Sequence, residues 1–378
     1  MNFHLAWVFF CIISAAIIFG FTNFKFEKNR ELNIDGLRYL LAAFVAFHHN
    51  DISSAYFETG IWKLHDPTLG YVGQFGVAVF FMITGYLFGD INKETNWKSF
   101  FIKRFFRIAP LTYFYSMICI SIATYIGIKM GNSADFKSAI YWFDGGVSGL
   151  KPPIYGFKDS YLIGAGVTWT LYWEWMFYLC LPLLALFFNK KYTLALCIAV
   201  ISIFAHCVGY FRIPSPHAQL LLFFSIGVLV KNLKLRSFCY SNSKSIVALL
   251  ILGYCLLFSE NNSAYNMTSC VLIGLFFCLI ASGANFFGLL TSRGFLVLGD
   301  ASYSIYLLHG IGWFVMNKMV FHFGTNENNI KYYIIQTLTW YAICFASLLT
   351  YKYLERPFIN YGRKIVKRSH ATSFRPID

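Results

Sequence analysis

The chain has 378 residues, 57% of them hydrophobic and 13% charged, with a formal net charge of +14 and a mean hydropathy of +0.56. Soluble globular domains carry roughly 25% charged residues, so this composition excludes one and indicates an integral membrane protein. The positive charge lies in short stretches between apolar segments rather than on one basic face, which argues against nucleic acid as a partner and for the basic bias of cytoplasmic loops.

Apolar runs of about 17 to 25 residues predict helices in chain order near 4–23, 34–50, 71–89, 110–128, 166–188, 192–209, 217–230, 245–259, 267–287, 297–318 and 332–353. The fold class is therefore an all-α polytopic transmembrane bundle of about ten core helices plus one N-terminal helix. The runs at 34–50 and 217–230 are short enough to need tilting, a break or extension by their flanks. The first run is followed, not preceded, by Lys25, Lys28 and Arg30, and lacks a small-residue cleavage site. It reads as a retained anchor with its N-terminus outside rather than as a secretory signal. Alternating from there puts the basic clusters at 93–107, Lys190/Lys191, 231–244, Arg293 and 352–375 on the cytoplasmic side, with the C-terminus, in a multi-pass protein of the inner (plasma) membrane. The chain then divides into an anchor and basic linker at 1–32, a membrane domain at 33–360 and a short basic tail at 361–378. The longest polar excursion, at about 130–165, is rich in Gly, Pro and aromatics and suits a structured loop; its aromatics would either stack on sugars or form an interfacial belt. The ten cysteines include no CxxC pair, and most fall in predicted spans, so neither disulfides nor a metal site is expected.

Ionisable residues inside a span are costly and point to function. In "LRYLLAAFVAFHHN" Arg38 and His49 are eleven positions apart, roughly 16 Å along a helix. A guanidinium suits a phosphate or another anion, and an imidazole suits proton transfer near neutral pH, whereas the bland readings are snorkelling for Arg38 and packing for His49. "NWKSFFIKRFFRIAP" reads as a loop presenting Lys103, Arg104 and Arg107 at a helix start, with Pro110 punctuating it. Glu174, in "TWTLYWEWMFYLCLP", lies about two turns inside its helix, and no other of the 17 carboxylates reads as equally deep. His309, in "ASYSIYLLHG", falls near the middle of its span and serves either catalysis or an interhelical hydrogen bond.

Taken together these stretches resemble the acyltransferase 3 family of integral membrane acyltransferases. The family's Arg-x10-His element matches Arg38 and His49, and the spacing selects His49 over His48. "FFMITGYLFG" resembles its FFxxSG segment with Thr84 in place of serine, and Arg104 and Arg107 match its RxxR element. Trp169, Leu171, Glu174, Phe177, Tyr178 and Pro182 match its W-S-L-x-x-E-x-x-F-Y-x-x-x-P segment, with Thr170 in place of serine; "ASYSIYLLHG" and "YLERPF" resemble its late elements. The resemblance runs in order over roughly 33–360. Family cores typically have ten spans, so the helix at 1–23 would be an addition, and no counterpart of the hydrolase-like domain fused to some relatives is expected after residue 360.

The resemblance implies acyl transfer, usually of acetyl from cytosolic acetyl-CoA as donor substrate, to a hydroxyl of a cell-surface polysaccharide or its lipid-linked precursor. No permanently bound cofactor and no metal is expected. The donor phosphates would dock on Arg104, Arg107 and Lys103, with the pantetheine arm passing Arg38. His49 would act either as general base for the acceptor hydroxyl or as a transient acyl carrier. Glu174 would orient His49 if the helices meet; Arg38, Tyr178 or Trp169 would face the developing oxyanion, with His309 and Thr84 in support. The competing class is a proton-coupled transporter or flippase in which Glu174, His49 and His309 relay protons; acyl-CoA binding discriminates the two. The sequence does not determine the oligomeric state.

Overall fold

Each predicted apolar run that falls within the residues described by the structure, a computed structural model, contains a helix, although the one expected at 267–287 ends at Ala281. Those residues are 3–22, 30–92, 94–132, 136–149, 151–187, 217–233, 240–258, 263–324 and 329–372; the helix expected at 192–209 lies outside them. The helices are α1 (Phe3–Gly20), α2 (Leu32–Thr59), α3 (Pro67–Leu87), α4 (Trp97–Lys129), α5 (Phe136–Ile140), α6 (Trp169–Phe187), α7 (His217–Asn232), α8 (Asn242–Leu257), α9 (Met267–Ala281), α10 (Arg293–Asp300), α11 (Ser302–His322), α12 (Ile330–Thr350) and α13 (Arg356–Thr372). No strand occurs among the described residues. Helices α1, α3, α4 and the continuous stretch Ile330–Arg368 are long and apolar enough to cross a membrane. Large apolar side chains such as Ile17, Leu183, Leu250 and Leu338 are more than half exposed, which suits a hydrocarbon solvent and not water.

Helix α2 occupies the centre. Consecutive residues from Leu37 to Phe47 are buried around its circumference, apart from half-buried Arg38, the pattern of a helix enclosed on all sides. Its neighbours include α3, α10 and α11. Small residues set the closest approaches, as expected where van der Waals packing replaces the hydrophobic effect between helices. Helices α3 and α7 cross with Gly85 against Phe224 and Gly227 against Met82, where a Cβ would come within 2.1 and 2.0 Å of backbone oxygen. Helix α1 is packed into the bundle: Trp7 Nε1 donates to Thr337 Oγ1 at 3.1 Å, and the Tyr39 hydroxyl donates to the Ile12 carbonyl at 2.9 Å.

Several boundaries differ from the sequence reading. Helix α2 runs nine residues past 50, because Asn50, Asp51, Ser53 and Ser54 are buried polar helix residues rather than a loop; it ends at Gly60, whose positive φ of 74° lets its N–H cap the Tyr56 carbonyl at 2.8 Å. Asp66 then starts α3 by accepting from the Thr68 N–H at 2.8 Å, with Pro67 in the first turn. Helix α4 begins at Trp97, so Lys103, Arg104 and Arg107 stand on a helix and not in a loop, and Pro110 lies inside it. The run at 297–318 is split at Ala301 into α10 and α11. Residues 361–372 belong to α13, joined to α12 through the π turn Tyr351–Glu355. The described residues of 130–165 include α5 and the 3₁₀ turns Tyr141–Phe143 and Ser160–Gly164.

Candidate active site

Helices α2, α3, α4, α6 and α11 enclose a cavity of about 460 Å³, within the range of small-molecule sites. Arg38 enters it from α2, Thr84 from α3, Arg104 and Arg107 from α4, and Glu174 and Tyr178 from α6. Arg104 and Arg107 share a face of α4 because they are three residues apart. Apolar walls come from Val77, Phe80, Phe81 and Leu171.

The charges are arranged unevenly. Arg30 is held by Asp35 at 2.8 Å and by Asp300, and these bonds to both carboxylates overcome the cost of burial and push its pKa above the ordinary arginine value. Arg38 lies 4.0 Å from Asp35, and Arg107 lies 4.0 Å from Glu355, both beyond hydrogen-bond range. The Arg104 guanidinium lies over the Phe88 ring at 4.9 Å, with its buried Nε lacking a hydrogen-bond partner. A cavity lined by cations whose donors are only partly used is suited to an anionic ligand. Glu174 accepts from the Tyr178 hydroxyl within its own helix.

Beyond the cavity lies a histidine pair. His49 Nδ1 is 2.9 Å from His309 Nε2, and the rings stack at 5.1 Å between centroids. His309 is fully buried and His49 is 9% exposed. His309 Nδ1 lies 3.0 Å from the Ile305 carbonyl. A carbonyl only accepts, so Nδ1 carries the hydrogen, Nε2 of neutral His309 accepts, and His49 Nδ1 donates to it. The lone pair of neutral His49 is thereby on Nε2. Tyr306 separates the pair from the cavity: it lines the cavity, its hydroxyl is 2.7 Å from Thr170 Oγ1, and its ring centroid is 6.0 Å from that of His309. Gly310 lets the Ser160–Gly164 turn close over α11 at this point, since a Cβ there would meet Gly164 at 2.4 Å.

A family model described as an acyltransferase domain matches residues 31–351, most of the chain. The chain belongs to the acyltransferase 3 family. No curated protein and no solved structure shows significant similarity to it. It is thus a membrane acyltransferase, acting between an acyl donor and an acceptor.

In this acyltransferase the structure brings together, around one cavity, six of the residues singled out from sequence: Arg38, Thr84, Arg104, Arg107, Glu174 and Tyr178. His49 and His309 meet behind it. The residue bonded to His49 is His309, whereas Glu174 is bonded to Tyr178, so the expected Glu174–His49 pairing is replaced by a histidine pair. Lys103 is exposed on α4 and Trp169 starts α6; neither lines the cavity. Glu174 is also not the deepest carboxylate: Glu355 is 1% exposed, bonded to Ser304 Oγ at 3.1 Å and facing Arg107. Its signal was present in "YLERPF", but a residue between tyrosines and an arginine near a basic tail reads as a helix end. Tyr306, Asp35 and Asp300 were also missed; for Tyr306 the signal was its place one turn before His309.

Proposed function

We propose that this acyltransferase moves an acetyl group from cytosolic acetyl-CoA to a hydroxyl of a cell-surface polysaccharide or its lipid-linked precursor. The observation that carries the reading is an arginine-lined cavity set one side chain, Tyr306, away from a buried histidine pair whose lone pair is on His49 Nε2. The donor's phosphates bind Arg104 and Arg107, and the pantetheine arm runs past Arg38 along the apolar wall towards Tyr306. The acceptor hydroxyl gives its proton to His49 Nε2 while its oxygen attacks the thioester carbonyl. Collapse of the tetrahedral species expels the CoA thiolate, which takes the proton back and leaves as the free thiol. In the relay variant of the same chemistry, Nε2 itself attacks the thioester and then passes the acetyl group to the hydroxyl. His309 holds the tautomer through Nδ1 of His49, the task of an orienting group beside a base.

The test uses the full chain in nanodiscs with radiolabelled acetyl-CoA and extracted surface glycans. Wild type is expected to label the glycans, His49→Ala to give no label while remaining folded, and His48→Ala to keep most of the activity, since the His48 ring, although 4.9 Å from that of His49, packs against Gly73 of α3 and does not line the cavity. Equal loss in both variants overturns the assignment of His49, and failure of wild type to consume acetyl-CoA overturns the donor.

A further inference from the structure

The continuous helix Ile330–Arg368 has 39 residues, roughly 58 Å at 1.5 Å per residue, about twice the ~30 Å hydrocarbon core. One end must therefore leave the hydrocarbon. At the Ile330 end exposed Lys331 is followed by several turns whose exposed side chains are apolar, including Ile334, Ile335 and Leu338. At the other end exposed Lys352, whose Nζ lies over the Tyr353 ring, and exposed Phe358 and Tyr361 are succeeded by a cluster of four cations, Arg363, Lys364, Lys367 and Arg368, all exposed. Helix α13 contains no acidic residue. At 100° per residue these four cations, with Asn360, form one arc, while Phe358, Ile359, Gly362, Ile365 and Val366 form the opposite one.

The apolar arc is seated on α4. The Phe106 ring stacks with Phe358 at 6.5 Å and meets Tyr361 edge-on at 5.3 Å, and a Cβ on Gly362 would come within 2.8 Å of Phe106. This contact fixes the level of the two helices. On α4 the same order repeats: Phe105 is 43% exposed, and two residues towards the start of the helix Lys103 is exposed. Exposed aromatics succeeded by basic residues on two adjacent helices at one level mark the boundary between hydrocarbon and headgroups. Lys103, which the cavity does not use, belongs to this boundary.

We propose that the basic arc of α13, with Lys103 of α4, is a binding surface for anionic phospholipid headgroups. The charge is complementary, the apolar arc is already occupied by α4, and a polybasic segment directly after a span gains attraction to an anionic leaflet with each Lys or Arg near the surface. Since α4 also carries Arg104 and Arg107, and the π turn preceding α13 carries Glu355, lipid held here bears on the helices that form the donor cavity.

The test reads lipid and not acyl transfer, so it stands whether or not the donor assignment does. Full-length protein, purified from detergent containing equal phosphatidylglycerol and phosphatidylcholine, is examined by native mass spectrometry for retained lipid. Wild type is expected to retain phosphatidylglycerol at least tenfold over phosphatidylcholine. R363Q/K364Q/K367Q/R368Q is expected to bring the ratio near one, while K364R/K367R keeps it. Equal retention of the two lipids by wild type overturns the proposal, as does an unchanged ratio in the glutamine variant. Displacement of the lipid by millimolar inorganic phosphate also overturns it, because the surface would then be a site for soluble anions.

Discussion

Replacing His309 by leucine removes the acceptor of the His49 Nδ1–H bond at little change in side-chain volume. Both rings are buried, so after the change His49 keeps only its bond to the Val45 carbonyl one turn back, and the lost bond costs about 0.5–1.5 kcal/mol of stability. The larger effect falls on the reaction. Without His309 Nε2 only the Val45 carbonyl holds the His49 hydrogen, more of the ring carries it on Nε2, where the base must be, and general-base assistance is worth about 10²–10⁴-fold, or about 3–5 kcal/mol at 1.36 kcal/mol per tenfold. His309→Gln offers an amide oxygen to Nδ1 and restores part of that loss. The assay is transfer of labelled acetyl to extracted glycans, with kcat and donor KM measured separately alongside the Tm of each variant. His309→Leu is expected to lose at least a hundredfold in kcat with donor KM little changed, and His309→Gln to recover at least tenfold of it. A His309→Leu enzyme that is folded and retains full kcat refutes the orienting role, and so does a glutamine variant no better than leucine.

Arg107→Ala removes the nearer of the two cations, Arg107 and Arg38, that act on buried Glu355 and is expected to cost at most about 3 kcal/mol, the low end for breaking a buried pair, with most of it recovered in Arg107→Ala/Glu355→Gln; denaturation midpoints check this, and a single variant as stable as wild type argues against the pair. Glu174→Gln keeps an oxygen for the Tyr178 hydroxyl and is expected to hold kcat within a few-fold, whereas a hundredfold fall in the transfer assay would put Glu174 at the reacting atoms. Burial favours the protonated form of Asp144, but Lys151 at 2.7 Å, Ser148 and the Gly146 N–H outweigh it and hold the pKa below the ordinary carboxylate value. A depressed pKa contributes stability that is present above the unfolded value near 3.9 and lost as pH falls through the folded one. Protection factors of 141–164, taken relative to the intrinsic exchange rate at each pH, are therefore expected to be high at pH 6 and to fall below pH 4, and those of Asp144→Asn to be low at both; equal protection factors in wild type at the two pH values would remove Asp144 from holding the loop.

The helices were legible because bilayer thickness imposes a length on every apolar run, and that constraint is local in sequence. The errors fall where polar residues continue a helix. Asn50 ends the predicted run, yet its side chain bonds the Tyr332 hydroxyl at 3.1 Å and Asn317 at 3.2 Å, so the helix continues through a buried polar cluster supplied by two other helices. On α4, Lys103, Arg104 and Arg107 suggest a loop only while their surroundings are unknown: Arg104 and Arg107 face a cavity, Lys103 faces outward, and the helix carries all three. The partner of His49 was the least accessible feature, since it lies 260 residues away, and no periodicity links positions so far apart. Spacing pairs Arg38 with His49 on one helix, but a base on a helix interior takes its orienting group from a neighbouring helix. Each residue of the pair was visible as a costly intramembrane imidazole; that two such residues are cheapest when they satisfy each other is the step that only the packing of α2 on α11 supplies.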